Sequence, residues 1–150
     1  MIKMVSVFDV AKYILEKQGR MSTWKLQKLC YYSQAWHFTW TERRLIEEDF
    51  QAWRNGPVCP ELFFAHQGKF MIESKDLPKG DAKKLNDDEI ESVDRVLEDY
   101  GELEPYYLRE LTHEESPWIN ARHGLDKEAE GHEVITLESM GEFYGAQIYG

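Results

Sequence analysis

Trp24-Lys25-Leu26-Gln27-Lys28-Leu29-Cys30-Tyr31-Tyr32-Ser33-Gln34-Ala35-Trp36-His37-Phe38-Thr39 reads as one helix that is apolar on nearly every side. Ser22 or Thr23 is placed to cap it, and Leu26, Leu29, Cys30, Tyr32, Ala35 and Trp36 leave almost no polar face beyond its first turns. A helix of that kind belongs at the centre of a fold. Its first turns differ, because Lys25, Lys28 and Tyr32 recur at spacings of three and four and line one side. That side is expected to stay exposed at one end of a buried rod.

Working outward, Val7, Val10, Ala11, Ile14 and Leu15 recur at helical spacing between a capping Ser6 and a terminating Gly19, giving an amphipathic helix before the central one. After it, Phe50-Gln51-Ala52-Trp53 alternates like a short strand, for which 69–72 offers a partner in a two-stranded ribbon. Asn55-Gly56-Pro57 is a turn signal, and Pro60 opens a short helix that stops near Gly68. Residues 75–84 read as a surface loop. Asn86 and Glu89 form a capping box ahead of Ile90, Val93, Leu97 and Tyr100, with Gly101 as the stop. Short helices are expected over 103–111 and from Ser116-Pro117 to about His123, with Ser116 as the cap, and a last one follows Thr136 after a polar connection at 126–133. The fold class is therefore mainly α: a compact single-domain helical bundle over 1–150 around a buried central helix, with a short two-stranded β ribbon.

A chain of 150 residues with 42% hydrophobic and 13% aromatic side chains has enough apolar surface to order itself. Lys3 and Asp9 interrupt the hydrophobic start before a signal peptide could form, and the only cysteines are Cys30 and Cys59, so a cytoplasmic protein with reduced thiols is expected. No apolar run is long enough to span a bilayer. The net charge of −10 is unevenly spread: up to Arg54 nine basic residues face six acidic ones, whereas between Asn86 and Glu104 only Arg95 offsets nine acids. That acidic helix would steer a basic partner, and it equally serves as a solvated face.

Catalytic chemistry finds little to stand on. His37, His66, His113, His123 and His132 form no familiar metal pair among themselves or with the cysteines. Ser116 is accounted for as a cap, Cys30 sits in the most apolar helix, and no glycine-rich phosphate loop occurs. No cofactor or metal is expected, and a hydrolase built on His113, Glu114 and His123 is the weak rival. The first two helices could be laid out as a helix-turn-helix presenting Lys25, Gln27 and Lys28, but the acidic balance and the apolar remainder of the second helix argue against nucleic acid as a partner. Trp53 and Trp118 suit either core plugs or binding anchors.

Val10-Ala11-Lys12-Tyr13-Ile14-Leu15, Lys25-Leu26-Gln27-Lys28-Leu29-Cys30-Tyr31-Tyr32, Gln34-Ala35-Trp36-His37, Phe50-Gln51-Ala52-Trp53, Gly56-Pro57-Val58, Pro60-Glu61-Leu62, Leu111-Thr112-His113 and Ser116-Pro117-Trp118 follow one another in an order that resembles the Panacea domain, the SocA-like antitoxin family that includes phage-associated proteins of the GepA type. The resemblance implies a non-enzymatic helical antitoxin that neutralises a cognate protein toxin, encoded by an adjacent gene, through direct protein contact. It also admits a protease adaptor that delivers the toxin to a Clp-type protease, ClpXP, or a DNA-binding regulator. On this reading Lys25, Gln27, Lys28 and Tyr31, at the open start of the central helix, meet Trp53, Arg54, Thr112 and His113 in one partner-binding patch. The acidic 86–104 helix is the second candidate surface.

Overall fold

The central helix, α2 (Thr23–Thr41), is the axis of the computed structural model, which describes residues 4–149. Lys3, which interrupts the hydrophobic start of the chain, lies outside the described residues. Every residue from Leu26 to Ala35 is buried, which for nearly three turns means that all sides of the helix are covered. The covering elements are α1 (Val7–Gln18), α4 (Asp87–Tyr100), α5 (Pro105–His113) and α7 (Leu137–Tyr149). With α3 (Pro60–His66) and α6 (Ser116–Ala121), and two small antiparallel sheets, they make the mainly helical architecture that the apolar pattern predicted.

Local rules set most of the helix ends. Ser6 and Asp9 cap α1 reciprocally, Ser22 Oγ accepts from the Lys25 N–H at the start of α2, and Asn86 with Glu89 closes the capping box of α4. α5 runs two residues later than expected because Pro105, which fits the first turn of a helix, starts it. α6 begins from Glu115 and not from a capping Ser116: the Glu115 side chain makes no cap and turns into the core.

The strand pairing departs from the expected ribbon. β1 (Met21–Ser22) pairs with β4 (Met71–Ile72), while β2 (Phe50–Trp53) lies between β3 (Gly56–Val58) and β5 (Val134–Ile135). Alternation identified β2 as a strand but carries no information on its neighbour. The neighbour is set by the tight turn at Arg54-Asn55, which Gly56 completes at φ +113°, folding β3 back on β2. The 75–84 segment is likewise not a free surface loop. The Asp81 N–H donates to Asp9 Oδ1 at 2.8 Å, Lys12 Nζ donates to the Leu77 carbonyl at 3.2 Å, and Leu77 is buried.

Candidate functional site

Two glutamines show how a buried helix holds its surroundings. Gln34 Oε1 accepts from the Leu45 and Ile46 N–H groups at 2.8 and 3.2 Å, and its amide nitrogen donates back to the Ile46 and Glu48 carbonyls. Two turns earlier, Gln27 Oε1 accepts from the Cys59 N–H at 2.8 Å while Nε2 donates to the Cys59 carbonyl at 3.2 Å and lies 3.1 Å from His66 Nε2. Each side chain imitates a strand neighbour and satisfies loop backbone that would otherwise be buried without partners. Gln27 is thus a clamp with both ends occupied.

Lys28, the next residue, is 1% exposed, and among the described residues its amine makes neither a hydrogen bond nor an ion pair. Its stem runs beneath the β2–β3 turn. A Cβ at Gly56 would lie 2.5 Å from Lys28 Cε and 3.0 Å from Thr112 Oγ1, so this glycine is required by the passage of the lysine as well as by its positive φ. Burial, reinforced by the Arg109 guanidinium, pushes the Lys28 amine down to about 7. Its Nζ stands 5.7 Å from the centre of the Trp24 ring.

This amine lies on the floor of a cleft of about 330 Å³ between the start of α2, the β2–β3 turn, the end of α3 and residues 130–132. Aromatic walls come from Trp24, Trp53 and Phe63, with Trp53 edge-on to Phe63 at 5.0 Å and to His132 at 5.6 Å. Arg54 and Lys69 add positive charge, and Glu130 is the one carboxylate among the described lining residues.

The expected patch is partly assembled here. Gln27, Lys28, Trp53 and Arg54 line the cleft. Lys25 is half-buried and does not line it, while Tyr31 is deep in the core, edge-on to Phe50 at 5.6 Å. Thr112 is buried beneath the turn, its hydroxyl donating to the Arg109 carbonyl at 2.8 Å. His113 stacks on Trp118 at 3.9 Å; burial and Arg109 push its imidazole down to about 4. The side of α2 carrying Lys28 and Tyr32 is therefore enclosed and not exposed, because β3 and α5 close over it. Enclosure also removes the helix-turn-helix reading, since Gln27 and Lys28 cannot reach a groove.

Trp24, Phe63 and Lys69 join the cleft without having been singled out in the sequence, and His66 and His132 join it although the sequence offered them only as metal ligands. Trp24 stands four residues before Lys28 on the same helix side and was within reach of a spacing argument; His132 comes from the polar connection and was not. Trp118 Nε1 donates to the Trp53 carbonyl at 2.8 Å, and Arg122 donates to the carbonyls of Ala52, Asp126 and Ala129, which ties the 122–131 segment to β2.

A second buried polar cluster lies one turn further along α2, around Tyr32. Glu115 Oε1 accepts from the Tyr32 and Tyr144 hydroxyls at 2.8 and 2.7 Å, and the Tyr31 hydroxyl is 3.2 Å from that of Tyr144. Burial pushes the Glu115 carboxyl up to about 7, against the pull of both hydroxyls. Among the described residues no three His, Cys, Asp or Glu side chains gather as metal ligands, and no helix is long and apolar enough to cross a membrane.

A family model described as antitoxin SocA-like, Panacea domain, matches residues 26–119. That span runs from the first turn of α2 into α6, taking in Lys28, the β2–β3 turn and α3 but not residues 130–132. No curated protein and no solved structure matches the chain.

Proposed function

Because the chain belongs to the SocA-like Panacea antitoxin family, we propose that it neutralises a protein toxin encoded by the adjacent gene through direct contact, and that the face around the Lys28 cleft makes the contact. The observation that carries this reading is the collection of exposed aromatics around a cationic cleft in an acidic chain. Trp24, 41% exposed, lines the cleft, while Phe64 (69%) and Phe70 (72%) follow its lining residues Phe63 and Lys69 in the chain, Phe64 lying edge-on to Phe63 at 5.7 Å. Large apolar side chains beside Arg and Lys are what binding hot spots use.

Co-expression with the adjacent gene tests it. The neighbouring product should arrest growth alone, and this protein should restore growth and co-purify with it. A harmless neighbour, or a failure to rescue, removes the antitoxin reading. Rescue that needs ClpXP and leaves no stable complex would indicate delivery to the protease in place of sequestration. Trp24→Ala and Arg54→Glu should each weaken rescue. If both keep full rescue while Glu91→Lys with Glu98→Lys abolishes it, the contact lies on the acidic face of α4.

A further inference from the structure

Lys28 is out of place as a structural residue. Its stem is buried, its amine reaches the cleft over the Trp24 ring, and among the described residues it has no acceptor or carboxylate partner; a largely desolvated ammonium without one costs stability, and folded proteins ordinarily pair such groups. The groups that face it offer no carboxylate, and of those on α5 and α3 the Arg109 guanidinium is the one that opposes its charge. Arg109 and His113 approach from α5, His66 from α3, and Arg54 and Lys69 stand at the rim of the same cleft. Glu130 lies in the lining, but its side chain is exposed and forms no ion pair with Lys28. The cleft thus presents three cations against one carboxylate, in a chain whose net charge is −10. An anion supplied from outside is the missing element.

The surroundings narrow what that anion is. A nucleic acid needs a track of Lys and Arg along the surface, whereas here one cation stands at the bottom of an aromatic-walled hole. A small molecule would fill the cleft but leave Phe64 and Phe70 untouched, since both stand outside its lining and are more exposed than Trp24. A polypeptide reaches both. An imine-forming lysine would share the lowered basicity, but no described side chain is within hydrogen-bonding distance of Nζ to move a proton for it. We propose that the cleft receives one Asp or Glu side chain of the toxin, which pairs with the Lys28 amine on the floor while Trp24, Phe64 and Phe70 grip the apolar residues beside it. The inference rests on the antitoxin reading and names the chemistry that the partner must present.

A carboxylate docked on Lys28 raises its basicity, so the two events are linked through a proton. In the free protein the amine is mostly neutral at pH 8 and mostly charged at pH 6. Complex formation therefore takes up a proton at pH 8 and little at pH 6. Calorimetric titration of the adjacent gene's product into this protein, in buffers of different ionisation heat, reads that uptake. Lys28→Met should fold, bind about 30-fold more weakly or worse, and show no uptake at pH 8. Binding by Lys28→Met within about threefold of wild type, or a wild-type complex with no uptake at pH 8, overturns the proposal and leaves the antitoxin reading intact. If Lys28→Met does not fold, the wild-type uptake alone decides.

A second measurement separates the two ideas. The Lys28 side-chain carbon resonances, followed through a pH titration with excess phenylacetate as a one-carboxylate aromatic probe, should show a midpoint about one unit or more higher than without it. A raised midpoint in a protein that fails to bind the neighbouring product keeps the carboxylate site and removes the antitoxin reading. An unmoved midpoint overturns the site.

Discussion

Glu115 and Lys28 are both enclosed beside α2, and they differ in what encloses them. Around Glu115, three tyrosines from α2 and α7 close a hydrogen-bonded cluster that needs nothing further. Around Lys28, the chain brings aromatic faces, a glycine and other cations, and leaves the cluster open to a cleft. Buried polar groups that are satisfied specify a fold, whereas a cation without a protein partner on the floor of an open cleft stores a capacity to bind. The same contrast repeats between neighbours in sequence, since Gln27 is bonded at both ends and Lys28 at neither.

One replacement made at both neighbours gives the sharpest test. Gln27→Met strips the Cys59 N–H and C=O of their partners in a buried place and should cost about 3 kcal/mol, read as a lower urea midpoint at unchanged slope. Lys28→Met removes an unpaired amine, keeps the length of the stem, and should stabilise the fold by about 2 kcal/mol. Folding lowers the Lys28 amine below its unfolded value of 10.5, so the native state binds fewer protons between pH 7 and 10.5 and gains stability as pH rises through that window. The advantage of Lys28→Met is accordingly largest below pH 7 and shrinks toward pH 10. Loss of stability at both positions would mean that Lys28 is bonded in solution and that the contrast is false.

The central helix, three of the capping residues and the Asn55-Gly56-Pro57 turn were legible in the sequence because neighbours within a few residues determine them. Lys28 was legible as a functional candidate but for the wrong reason, as an exposed cation. Spacing told which residues share a side of α2. It could not tell that β3 and α5, some 30 and 80 residues downstream in the sequence, cover that side. For the same reason spacing alone presents Gln27 and Tyr31 as contact residues and misses Cys59 and Phe50, which occupy them. Assigning Ser116 as a cap hid Glu115, whose partners Tyr32 and Tyr144 are separated from it by 83 and 29 residues.

The closed cluster has a smaller and opposite pH signature. Folding raises the Glu115 carboxyl from 4.5 to about 7, so the native state holds the extra proton and this group's contribution is lost as pH rises through that window. Glu115→Gln keeps an acceptor for the two hydroxyls and cannot ionise. Relative to it, wild type should lose about 1.5 kcal/mol between pH 5 and pH 7.5, measured by urea unfolding at each pH. A constant difference would mean that Glu115 is ionised in the native protein across the whole range and that its cluster is not as dry as its burial implies.

Arg54→Glu probes the rim of the open cleft and should barely change the fold. Arg54 is exposed in the two-residue turn between β2 and β3, and among the described residues no salt bridge involves its side chain. Its replacement should change stability by less than about 0.5 kcal/mol. Reversing this charge next to Lys28 should slow association with an acidic partner and make binding less sensitive to salt, because a rim charge acts on encounter more than on the bound state. Lys28→Met should act mainly on dissociation. Stopped-flow binding of the two variants separates these effects. Identical kinetic signatures for both would place Lys28 among the steering charges and erase the distinction between the floor of the cleft and its rim.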